Sequence, residues 1–192
     1  MKRVKEKIKP IILFGVILSL LRLLFSCSLD YEKAMLVEEL SEEIPDTIIY
    51  NFTQTKVIDG NIRYRVYAAR AENYEKRKQT VLTDVHFREY NEEGEVITEG
   101  RADQITFFTE TENAQLSGNL DFYSALEEAR ISGEYLIWNN ERKTLSSEKQ
   151  DLIKIEKDSG SKVMGRGFEA DFTQKSIFFS EEVAGEWVDE EE

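Results

Sequence analysis

Three kinds of side chain in this protein could do chemistry: one histidine, one cysteine and a large excess of carboxylates. His86 sits between Val85 and Phe87 in the alternating run QTVLTDVHFREY, the position of a solvent-facing strand residue rather than a general base. Without a second His or Cys after Cys27, transition-metal sites and Ser-His-Asp arrangements are unavailable. The 38 Asp and Glu residues supply paired carboxylates everywhere, so no pair stands out as a glycosidase signal. The expectation is a protein that is not an enzyme and carries no cofactor or metal.

Cys27 is the residue whose surroundings ask for an explanation. Lys2, Arg3, Lys5, Lys7 and Lys9 precede an apolar run from Ile11 to Leu21, the charge-then-apolar order of an export segment with its basic end on the cytoplasmic side. Leu24-x-Ser26-Cys27 is similar to the processing site of bacterial lipoproteins, which would make Cys27 a lipidated N-terminus. Phe25 is bulky for such a site and Arg22 interrupts the run, so an uncleaved membrane helix with Arg22 snorkelling stays open. Either way, residues 1–29 are expected to anchor the protein, with its body facing away from the cytoplasm.

These chemical groups need a scaffold, and the composition bounds it. The formal net charge is −13 over 192 residues. Residues 1–26 hold six Lys/Arg and one Glu, leaving about −18 on the remainder. A body this acidic is a poor nucleic-acid partner, because phosphate contacts need Lys and Arg. One cysteine allows no intrachain disulfide, so packing and backbone pairing must hold the domain. Residues 30–44 read as an acidic tether, broken by Ile44-Pro45. Residues 45–187 form the expected domain and 188–192 an acidic tail.

After Pro45 the runs TIIYNFTQTKVI, IRYRVYAA, QTVLTDVHFREY, EVITEG, DQITFFTET, AQLSGNLDFY, YLIWN, DLIKIEK and SIFFSEEV are rich in β-branched and aromatic residues. Polar breaks at Asp59–Asn61, Asn91–Gly94, Asn139–Arg142 and Asp158–Gly160 supply tight-turn residues. The fold class is all-β. Ala71-x-x-Tyr74, Ala102-x-x-Ile105 and Gly133-x-x-Leu136 recur at a spacing of 31 residues, with a looser copy at Glu169-x-x-Phe172. Such repetition implies strand pairs that bury their apolar faces only by stacking.

The stretch from Gly60 to Ala102, with Tyr64, Ala68, Ala71, Tyr74, Leu82, Val85, Phe87, Tyr90 and Gly94 in order, resembles the LptC family of lipopolysaccharide export. LSGNLDFY, ISGEYLIWNNERKTLSSE and VMGRGFEADFTQKSIFFSEEVAG continue the resemblance to about Gly185. It implies a twisted, open jelly roll of two antiparallel sheets built from repeated strand pairs, with an N-terminal membrane anchor. It also implies a periplasm-facing protein of the inner membrane. Such a protein takes a lipopolysaccharide-type glycolipid from the permease subunits of an inner-membrane ABC transporter and passes it to an LptA-like periplasmic bridge protein.

The residues themselves are compatible with that picture. Two sheets make a core about 10 Å thick, and if they splay, the apolar face becomes a trough for acyl chains. Expected lining residues are Val66, Val85, Phe87, Ile105, Phe107, Leu120, Phe122, Leu136, Trp138, Phe168, Ile177 and Phe179; each would otherwise be an ordinary core side chain. Sugar phosphates would stay outside the trough, repelled by the body charge. Gly165 and Gly167 are expected where a Cβ would crowd the backbone or block the trough. The rival is a membrane-anchored β domain that only recruits a protein partner by edge pairing, with its interior filled.

Overall fold

In the computed structural model, residues 43–188 are described; the expected anchor, Cys27, residues 30–42 of the tether and the tail beyond Val188 lie outside them. Every regular element from Thr47 to Glu186 is a strand: β1 Thr47–Ile58, β2 Asn61–Tyr74, β3 Gln79–Tyr90, β4 Val96–Phe108, β5 Asn113–Ser124, β6 Ala129–Asn139, β7 Thr144–Ser146, β8 Leu152–Lys157, β9 Lys162–Asp171 and β10 Ser176–Glu186. All pairings are antiparallel. Each strand pairs with the one before it, except that β7 and β8 share one lane between β6 and β9.

Where the sequence suggests two sheets, the hydrogen-bonded ladder is continuous: among the described residues ten strands make one sheet, with β1 and β10 as its edge strands. The reason lies in the middle of the strands. Asn51, Asp84 and Asn119 have positive φ, as do Gly118 and Gly167. The registers line these positions up across the sheet with Ala69, Asp103, Glu134 and Ser180. In the β7–β8 lane the same level is occupied by the loop Ser147–Asp151. A left-handed residue kinks its strand, and at Gly118–Asn119 the kink is also a register-shifting bulge, which bends and twists the strand further, so a row of such positions creases the whole sheet. Long strands can switch layers through such bends. One creased sheet thereby offers two wings, which is why a two-sheet pattern is legible in the sequence.

The crease also shifts the side-chain phase. Regular strands bury every second residue, but here the buried pairs are three apart: Ala68 and Ala71, Leu82 and Val85, Gly165 and Phe168. The repeat seen in the sequence is real but partly misphased. Strands running in the same direction place Ala68, Ala102, Gly133 and Gly165 at the same level just before the crease, with Ala71, Ile105, Leu136 and Phe168 just after it. Ala71 and Glu169 are therefore not the equivalents of Ala102 and Gly133; Ala68 and Gly165 are.

The fully buried core is a narrow stripe along this crease. Leu120, Leu136, Ile153 and Phe168 form one cluster with Ala102 and Ala170, and Ala68, Ala71, Leu82 and Val85 form a second. Ile105 packs against both, so the stripe is continuous.

Candidate functional site

Cross-strand partners point to the same face of a sheet, so the registers decide which residues face the core. On the wing toward the turn at Asn91–Gly94, one row runs Val66, Phe87, Gly100, Phe122, Ile131, Ile155, Val163. On the other wing a row runs Phe107, Ala114, Trp138, Leu145, Ala170, Ile177. Between them lie the two crease rows with Val85 and Leu120 on one side and Ile105, Leu136, Phe168 and Phe179 on the other. All twelve expected lining residues thus share one apolar face. Phe108 and Phe178 point to the opposite face.

Depth differs along that face. Val85, Leu120, Leu136 and Phe168 are fully buried core, whereas Val66, Phe87, Ile105, Phe107, Phe122, Trp138 and Phe179 are half-buried. Ile177 is 59% exposed although its cross-strand partner Ala170 is buried, and Ile49, partnered with buried Ala71, is 46% exposed. The inward face is covered along the crease and uncovered toward the two edge strands.

Inward glycines shape the floor. Gly100 lies directly opposite Phe122, whose ring occupies the space a Cβ would need, and Ile153 does the same over Gly133. A Cβ on Gly165 would come within 2.7 Å of the Phe179 ring, which in turn stacks against Phe168 at 5.5 Å between centroids. Large side chains lying over a bare backbone keep the layer thin while filling it. Gly167 has a different role: it stands in mid-strand on the crease at φ +60, and a Cβ there would collide with the Ser180 hydroxyl.

The titratable groups describe the outer surface. His86 is exposed between inward Val85 and Phe87. Among the described residues, no cluster of His, Cys, Asp or Glu has metal-binding geometry, and no helix is long and apolar enough to cross a membrane. Glu156, on the exposed side of β8, accepts hydrogen bonds from Lys154 at 2.9 Å and Lys162 at 3.2 Å, and these hold its carboxyl below the ordinary 4.5. Because the folded state has the lower pKa, its stabilisation is complete above the unfolded value and is lost as pH falls through the folded one. The gap in melting temperature between wild type and Glu156→Gln should therefore be widest near neutrality and close as pH drops below 4.5. A gap independent of pH would show that the two lysines contribute nothing through charge.

A creased antiparallel sheet with an apolar face and two edge strands defines an all-β protein. Residues 12–187 match the family model described as "Lipopolysaccharide-assembly, LptC-related". The chain belongs to this LptC family. Among solved structures, LptH from Pseudomonas aeruginosa, described as the LptA homologous periplasmic component of the conserved lipopolysaccharide transport device, aligns at 8% identity. The alignment covers 78% of this chain and 99% of LptH with a TM-score of 0.31, too low a similarity to support a conclusion. No curated protein matches the sequence.

Proposed function

We propose that this protein carries lipopolysaccharide-type glycolipid across the periplasm-facing side of the inner membrane, holding acyl chains against the apolar face of its creased sheet. It would receive lipid from the permease subunits of an inner-membrane ABC transporter and pass it to an LptA-like bridge protein by edge-to-edge strand pairing. Residues 45–187 serve as the open jelly-roll-like carrier and residues 1–29 as the anchor.

The observation that carries this reading is the exposure gradient on one apolar face: fully covered at the crease, half-covered on the wings, and open at Ile49 and Ile177. An ordinary core closes over such residues. Uncovered apolar surface instead offers each acyl CH₂ about 0.8 kcal/mol on burial, so a few chains offset the desolvation of an exposed face. The edge strands of the described sheet, β1 and β10, carry backbone groups of the kind that accept a partner strand.

A photoreactive residue placed at Phe107 in native membranes should give a glycolipid adduct, while the same residue at Phe108 gives none. Adducts from neither position, with the domain still recruiting its partner, would leave only a structural interaction module.

The anchor is tested separately. Cys27 is proposed to be diacylated, so radiolabelled fatty acid should enter the wild type and not Cys27→Ala. Equal labelling of the two, or none in either, points to an uncleaved helix.

A further inference from the structure

The outer face of the wing opposite the apolar one carries a feature the trough does not use. Although the body is strongly acidic, four of its arginines converge on one groove of about 590 Å³, Arg65, Arg88, Arg101 and Arg130, against two carboxylates, Glu99 and Asp121. The register explains the convergence. Arg65, Arg88, Glu99, Tyr123 and Arg130 are successive cross-strand partners from β2 to β6. Tyr67, His86, Arg101 and Asp121 form the adjacent row. Both rows alternate with the inward residues, so their side chains stand on the solvent side.

The guanidinium groups are held in place without being used up. Arg88 pairs with Glu99 at 3.5 Å, Arg101 reaches Asp121 at 3.5 Å, and Arg130 also pairs with Asp121 while lying 5.6 Å above the Tyr123 ring. The Tyr123 hydroxyl donates to Asp158 at 2.7 Å, fixing that ring. Arg65 Nε donates to Thr55 at 3.4 Å. A guanidinium has five donors, and each of these spends only one or two, leaving a fork free for an oxyanion. Arg88 and Arg101 remain 60% and 64% exposed, ready to be reached. Tyr67 and Tyr123 add flat rings of the kind that stack on sugars, and Glu99 and Asp121 can accept from sugar hydroxyls.

We infer that this outer groove is a binding site for a phosphorylated saccharide, with Arg88 and Arg101 as its principal phosphate ligands. It rests on the proposed function only for the choice of a saccharide as bearer of the phosphate. In an acidic body a local arginine groove is selective: charge elsewhere turns anions away, and planar bidentate pairing admits phosphate here.

The test uses the full-length chain in detergent micelles, titrated with a de-acylated, phosphorylated glucosamine disaccharide and followed by backbone amide shifts. Saturable shifts are expected at Arg88, Arg101 and Asp121. Arg88→Ala combined with Arg101→Ala should weaken binding about tenfold or more, and the paired Lys substitutions should fall between, keeping charge but losing the fork. Equal affinity of wild type and the double Ala variant overturns the site. So does equal binding of the unphosphorylated disaccharide, and so does tighter binding of an oligoglutamate peptide, which would assign the groove to an acidic protein. Lipid adducts at Phe107 read the trough alone. Their loss with groove binding intact would remove the carrier reading and leave this site standing.

Discussion

Phe107→Glu should abolish glycolipid crosslinking from neighbouring inward positions while leaving the fold intact. Phe107 is half-buried on the apolar face, opposite Ala114 and one row from the covered crease. A carboxylate there stays near solvent, so the cost to folding is about 1–3 kcal/mol of lost apolar burial. For a bound acyl chain the same carboxylate is a charge set in its path, and desolvating it is prohibitive. Phe179→Glu should act alike, with a larger loss of stability because Phe179 packs over Gly165 and against Phe168. Glutamate at Phe108 or Phe178, on the opposite face, should leave crosslinking unchanged. The complementary change is Phe178→Pro. Ser147 donates its N–H to the Phe168 carbonyl, so alternation along β9 turns the backbone of Glu169 toward β10 and its partner Phe178. Proline there would unzip β10 from β9 rather than remove an outward donor, destroying the edge as a docking strand while Phe107 still labels lipid. Retained labelling in both Phe→Glu variants would exclude the apolar face as the lipid path.

Gly167→Arg should destabilise the domain more than Phe107→Glu does. The position is at φ +60 in the middle of β9, where any side chain is strained by about 1–2 kcal/mol, and its Cβ would run into Ser180. Displacing Ser180 adds about 1–3 kcal/mol of overpacking. The sum corresponds to a fall in melting temperature of roughly 5–15 °C for a domain of this size. Recovery of partner complexes should fall with it, because the crease at β9 sets the course of the edge strand β10. Gly167→Ala keeps both the backbone strain and the Cβ collision without the arginine's length and charge, and adding Ser180→Ala removes the hydroxyl it meets, which separates collision from strain. A wild-type melting temperature for the Arg variant would mean that the crease is not strained at this residue.

Much of this protein is determined by sequence alone. Alternation of Ile, Val, Phe and Tyr with polar residues is enough to require strands, but which alternating set faces the core is decided by the registers, since one step of phase would exchange Phe107 for Phe108 and Phe179 for Phe178. The turns at Asp59–Asn61, Asn91–Gly94 and Asp158–Gly160 are legible because Gly and Asn tolerate the backbone they need. Other hairpins are hidden. Those closing at Lys78, Glu112, Glu128 and Lys175 place a lysine or glutamate at positive φ, residues with no turn signature of their own. β9 is hard to recognise as a strand because Gly165 and Gly167 break its pattern, and β4 reads as two pieces because the crease passes through it. Tertiary structure alone decided the crease itself. A crease is a relation between neighbouring strands, and only the registers bring Asn51, Asp84, Asn119 and Gly167 into one line. It also decided the arginine groove, whose members lie as far apart in the chain as Arg65 and Arg130. Antiparallel pairing makes them neighbours, and no local pattern in the sequence could.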